Sequence, residues 1–226
     1  VVKICGMRRV EDILAVRDAG ADFIGVVFAP SPRQVSLEVA RTLLIAVPRR
    51  PPAIGVFVNA PVNEINKIAA LTQLAYVQLA GEESAEDAAQ LDVPYVKVVH
   101  LSPGDGIDRA LSIMSAHHHA TAFVLDRASP QGGGSGQPVD WTLAAEIVRH
   151  AERPVLIAGG LVPETVAQAL ATTGAQGADV SSGVERNGWK DAGLIRQFVQ
   201  AARAPHMVRE LDAAAPATSI EAAERE

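Results

Sequence analysis

The sequence is short of several things, and each shortage excludes something. It holds a single cysteine, Cys5, among 226 residues. One thiol forms no internal disulfide, so the fold does not depend on an oxidising compartment. No apolar run reaches the roughly 18 residues that a membrane span requires. The start shows no basic segment leading into an apolar core and no small-residue cleavage site, so no export signal is expected and the cytoplasm is the expected location. Aromatic residues make up only 4% and the net charge is −6. Nucleic-acid binders carry a basic stripe, often with stacking aromatics. Neither is visible, so neither nucleic acid nor membrane is expected as a partner, and an anionic ligand would have to be held by local groups.

What is present is ordinary for a globular chain: 48% hydrophobic and 20% charged residues. The length suits one large domain or two small ones and can bury a core without staples. Short β-branched runs alternate with longer segments rich in Ala, Leu, Glu and Arg. Strands are expected at residues 1–5, 23–28, 53–58, 76–79, 95–99, 122–126, 155–158 and 178–181. Each is nearly continuous in apolar residues, as strands buried on both faces of a parallel sheet are. Helices are expected at 10–19, 37–46, 61–70, 85–91, 107–115, 141–150, 163–171 and 194–202. Ser36 is placed to cap the second helix, and Pro163 suits the first turn of the seventh. Eight strand–helix units in roughly 200 residues, with no second-domain break, favour a single α/β domain, the (β/α)8 barrel, over residues 1–203. The Ala/Glu-rich tail, 204–226, lies beyond it and is expected to be partly disordered by composition.

Barrel enzymes place their chemistry at the C-terminal ends of the strands. Cys5 ends the first strand. Asp126 ends the sixth, directly after buried apolar positions, where an acid is costly unless it has a purpose or partners. The loop that follows holds Gly132, Gly133, Gly134 and Gly136, and could fold over a ligand or be a plain linker. The seventh strand runs into Gly159 and Gly160, the eighth into Ser181, Ser182 and Gly183. Bare amides and hydroxyls after strands seven and eight suit a phosphate, although each loop alone could be an ordinary turn. Arg33, in a Pro-bounded loop after the second strand, could grip a carboxylate or phosphate with two prongs, or be a solvated surface side chain. Lys3 projects to the same side of its strand as Cys5. It is expected to face the barrel interior and to draw the thiol toward its ionised form. Two weaker features are set aside. The His117–His119 run lies at the opposite end and lacks metal-ligand spacing, so no metal is expected. The pair Glu82–Glu83 reads as a solvated loop face. Taken without its position, Cys5 reads more readily as a buried structural thiol; its place at a strand end, opposite Asp126 and beside two anion loops, reverses that reading.

The motifs "VKICGM", "GADFIGVVFAPSPRQVS", "GVFVN", "VQLAGEE", "IAGGLVPETV" and "DVSSGVE…G.KD" fall in the order of the phosphoribosylanthranilate isomerases, and the chain resembles that family over about residues 1–203. The resemblance implies a (β/α)8 barrel and an Amadori rearrangement of an aminoaldose phosphate to an aminoketose phosphate, a step of tryptophan biosynthesis. It implies Cys5 as general base and Asp126 as general acid. It places Arg33 at the anthranilate group, Gln78 and Lys3 with it among the substrate-binding residues, and Gly159, Gly160, Ser181, Ser182 and Gly183 around the phosphate. The reaction needs no external electron sink, so no cofactor is expected. The expected partner is the sugar-phosphate substrate, in a monomer or homodimer. Two positions depart from the family: Ala80 stands where it reads His in QLHG, and Ser135 where it reads Thr in GGTG. The histidine-pathway isomerase performs the same rearrangement in a similar barrel, with an aspartate where Cys5 stands. A sugar-phosphate binder without turnover is the other alternative, and Ala80 is the feature that points to it.

Overall fold

The computed structural model describes residues 1–128 and 139–204. The glycine-rich loop with Gly132–Gly134, Ser135 and Gly136 lies outside the described residues, as does the tail from 205 onward. Eight parallel strands close a barrel in chain order: β1 (Val2–Cys5), β2 (Phe23–Val27), β3 (Ala53–Phe57), β4 (Tyr76–Leu79), β5 (Tyr95–Leu101), β6 (Ala122–Arg127), β7 (Val155–Ile157) and β8 (Gly177–Val180). The helices α1 (Val10–Ala19), α2 (Leu37–Ala46), α3 (Val62–Thr72), α4 (Ala85–Ala88), α5 (Ile107–Ala116), α6 (Trp141–His150), α7 (Val166–Thr173) and α8 (Ala192–Arg203) form the outer ring. Side chains alternate along each strand. Val2 and Ile4 of β1, with Ile24 and Val26 of β2, join the helices in one large core. Cys5, Val27, Val56, Val96, Val98, Val124 and Leu156 point the other way and fill the barrel interior. That alternation decides which side chains can reach the mouth.

Local chemistry sets the helix starts. Ser36 Oγ accepts from the Val39 N–H at 3.3 Å, and the Asp140 carboxylate accepts from Thr142 and Leu143 at the head of α6. Several expected limits move by one to three residues, the fourth helix stopping at Ala88 rather than at residue 91, and three differences bear on the site. The seventh helix begins at Val166, not Pro163: the Val162 carbonyl accepts from both Thr165 and Val166, so Pro163 sits in a turn that precedes the regular helix. Strand β5 extends to Leu101, because His100 and Leu101 pair with Asp126 and Arg127 of β6. A hairpin, β9 (Glu185–Arg186) and β10 (Trp189–Lys190), stands between β8 and α8. Its two turn residues, Asn187 (φ 52°) and Gly188 (φ 77°), are both left-handed, which matches a two-residue type I′ turn. Among the described residues, no helix is long and apolar enough to cross a membrane.

Candidate active site

The C-terminal mouth of the barrel holds a cavity of about 290 Å³ lined by Cys5, Arg33, Gln78, Asp126, Gly159, Gly160, Ser181, Ser182 and Gly183, among others. Nine of the ten residues singled out from the sequence therefore share one space. Lys3 does not line it. It lies beneath, 1% exposed, with Nζ 2.7 Å from the Asp179 carboxylate on the next strand. Asp179 lines the cavity floor, and its Oδ1 has no hydrogen-bond partner. Gly25, paired with Cys5 across β1 and β2, makes room for the thiol: a Cβ there would lie 2.5 Å from Sγ. The Asp126 carboxylate accepts from the Arg127 N–H at 2.8 Å. Gly159 and Gly160 both take positive φ, turning the chain sharply at the cavity edge after β7. Gly183 packs so closely on the Leu161 carbonyl that the two loops expected to hold phosphate touch one another.

The electrostatics of Cys5 differ from expectation. Burial pushes its thiol up. Lys3 pulls it down, Asp179 pushes it up again and Lys190 pulls it down; the balance lies above the ordinary thiol value. Lys3 acts in the expected direction but is paired with Asp179, and desolvation wins. The free protein therefore holds Cys5 as a thiol at neutral pH. Burial also works against the Lys3 ammonium, yet Asp179 and Cys5 hold its pKa above the usual value.

Several groups at the mouth were not read from the sequence. His100 lines the cavity beside Asp126, its Nε2 2.9 Å from the Ala80 carbonyl and its Nδ1 buried without a partner. It enters the site because β5 runs two residues further than expected, and the alternation Val96–Val98–His100 was the available signal. Arg33 is not solvated: its Nε and Nη2 each meet the Glu185 carboxylate at 2.8 Å. Glu185 also meets Lys190 at 2.7 Å, and Lys190 reaches the Ser181 carbonyl at 2.9 Å. The Asn187–Gly188 pair was the sequence signal for the hairpin that carries these groups. Glu83 is no solvated face either. Its side chain is 5% exposed and paired at 2.8 Å with Lys97, which points outward from β5 beneath the helices. His117 is buried against Tyr95, and among the described residues no cluster of three or more His, Cys, Asp or Glu side chains could hold a metal ion.

Comparison with known proteins gives one answer. A family model described as N-(5'phosphoribosyl)anthranilate (PRA) isomerase matches residues 2–201. An N-(5'-phosphoribosyl)anthranilate isomerase of Pseudomonas fluorescens is 40% identical over 204 residues, covering 89% of this chain and 94% of the relative. The crystal structure of phosphoribosyl anthranilate isomerase from Thermotoga maritima superposes with a TM-score of 0.80 at 35% identity, covering 89% of this chain and 97% of that one. A second crystal structure of such an isomerase, in complex with reduced 1-(o-carboxyphenylamino)-1-deoxyribulose 5-phosphate, gives 0.77 at 32% identity, covering 89% and 97%.

Proposed function

The chain belongs to the N-(5'-phosphoribosyl)anthranilate isomerase family and is an isomerase of tryptophan biosynthesis, and from that premise we propose that Cys5 and Asp126 carry out its Amadori rearrangement as general base and general acid. The supporting observation is that both side chains line one cavity between Arg33 on one side and the Gly159–Gly160 and Ser181–Gly183 loops on the other. A substrate with an anthranilate at one end and a phosphate at the other can lie across that space. The reduced product analogue held by the relative described above has those same two ends.

In this reading the protonated Asp126 carboxyl gives its proton to the ring oxygen as the furanose opens. The nitrogen at the first carbon becomes an iminium. Its positive charge acidifies the hydrogen on the second carbon and favours the Cys5 thiolate; the thiol gives its own proton to solvent, and the thiolate then takes the hydrogen from the second carbon. The enolamine formed then tautomerises to the ketone. The raised thiol of the free protein fits this order of events. A cation formed at ~4 Å from sulfur is worth about 4 kcal/mol at an effective dielectric of ~20, or roughly three pKa units. The base thus becomes competent once the acid step has placed a charge over it, so the two groups act in sequence without both being ionised in the free protein.

The test is turnover of the variants, followed by loss of substrate fluorescence. Cys5→Ala and Asp126→Asn should each lower kcat by ~10²–10⁴-fold, while Arg33→Ala should act mainly on KM. Near-normal kcat in Cys5→Ala would sink the base assignment.

A further inference from the structure

We propose that Glu185 is the positioning residue that makes Arg33 selective for the ortho-carboxylate of the substrate's aromatic amine. The proposal rests on the reading of Arg33 as the group facing that ring. Arg33 lines the cavity; Glu185 does not. The carboxylate grips the guanidinium from behind, at Nε and Nη2, both at 2.8 Å, with its own side chain 8% exposed. Among the described residues Nη1 donates no hydrogen bond. One edge of the fork is thereby filled, and the other, formed by Nη1 and the second Nη2–H, is left for a planar carboxylate. An arginine held by its inner edge meets such a group without first losing rotamer freedom.

The charges support positioning over competition. Lys190, directly opposite Glu185 in the hairpin, neutralises it through a 2.7 Å contact. Those two charges cancel, and the charge of Arg33 remains for the ligand. Burial works against the ionised Glu185 carboxyl, but hydrogen bonds from Arg33 and Lys190 hold it below its usual range. The hairpin is itself fixed. The guanidinium groups of Arg8 and Arg9 lie 4.2 and 4.4 Å from the Trp189 ring centroid. Arg8 also donates to the carbonyls of Gly188 and of Pro32, the residue before Arg33. The Arg33 stem crosses Gly6 so closely that a Cβ there would lie 2.5 Å from its Cδ. The guanidinium is thus held from both ends.

The experiment compares kcat/KM for N-(5-phosphoribosyl)anthranilate and its carboxylate-free analogue, N-(5-phosphoribosyl)aniline, in four proteins. The wild type should prefer the first by roughly ten- to hundredfold, as befits one charge-assisted contact. Glu185→Gln should shrink that ratio by most of its value, the loss falling on the carboxylate-bearing substrate. Glu185→Asp keeps the charge on a shorter arm and should shrink it less; it also serves if the Gln variant does not fold. An equal loss on both substrates, or an unchanged ratio, overturns the proposal, as does a gain in affinity for the carboxylate, which would make Glu185 a competitor. Arg33→Ala separates this from the reading beneath it: a ratio still at the wild-type value there refutes the placement of Arg33 itself. A ratio lost in Arg33→Ala but kept in both Glu185 variants refutes only the role of Glu185.

Discussion

Replacing Gly25 with alanine tests how tightly the thiol is seated. The new Cβ would lie 2.5 Å from Cys5 Sγ, 2.9 Å from its Cα and 3.0 Å from its Cβ. Nonbonded carbons settle at about 3.5–4.0 Å, so the neighbours must part by roughly 1 Å. The sulfur could rotate away, but the Cα belongs to β1. The backbone at Gly25 is pinned as well, since its carbonyl accepts from Gly6 and Met7 at 2.9 and 3.0 Å. Relief must therefore come from swinging the thiol out of its rotamer and spreading the β1–β2 pair. Overpacking of this kind costs about 1–3 kcal/mol, and a ~1 Å misplacement of a catalytic group can cost ~10²-fold in rate. Urea unfolding and kcat at saturating substrate read the two effects separately. If Gly25→Ala keeps both the wild-type midpoint and the wild-type kcat, then the thiol is not held where the structure holds it, or its position does not matter to turnover.

Two further perturbations address the buried charges. Lys3→Met strands Asp179 and should cost about 3–5 kcal/mol, much of it recovered in the double variant with Asp179→Asn. It also removes the main group drawing the Cys5 thiol down, so the alkaline rise of kcat/KM should move to higher pH than in the wild type; an unchanged pH–rate profile removes Lys3 from the mechanism. Lys97→Met strands Glu83 outside the barrel, and urea unfolding should show a loss of about 3–5 kcal/mol while kcat is retained; a fall in kcat would show that the outer pair is coupled to the mouth.

The barrel was legible because its signals are local. Continuous β-branched runs mark strands covered on both faces, and the limits of α1, α2, β4 and α6 agree with those read from the sequence. The mouth was legible because strand ends can be counted, so Cys5, Asp126 and the two glycine loops could be placed together before any geometry. What escaped depends on partners far away in the chain. Glu83 reads as a surface acid until Lys97 arrives from the next strand, 14 residues on. Arg33 reads as a grip for an anion, but nothing nearby in the chain shows that Glu185, 152 residues on, holds it. The sign of the Cys5 shift is set by burial outweighing the pull of Lys3, with Asp179 adding to the rise, a balance that no residue count reveals. His100 was lost to a boundary error of two residues, and the hairpin to an unread Asn–Gly pair.

The contact between Lys3 and Asp179 joins positions 176 apart in the chain. The ammonium beneath Cys5 and the carboxylate that answers it belong to the first and eighth strands of the barrel, so they meet only when the barrel closes. Until the eighth strand emerges from the ribosome, the ammonium of Lys3 has no counter-charge in the barrel, and no truncated product lacking that strand can assemble a dry, neutral floor under Cys5. Pairing of the first barrel strand with the eighth is therefore a necessary step of assembly, and chains stopped before it should be more open to proteolysis than chains that include it.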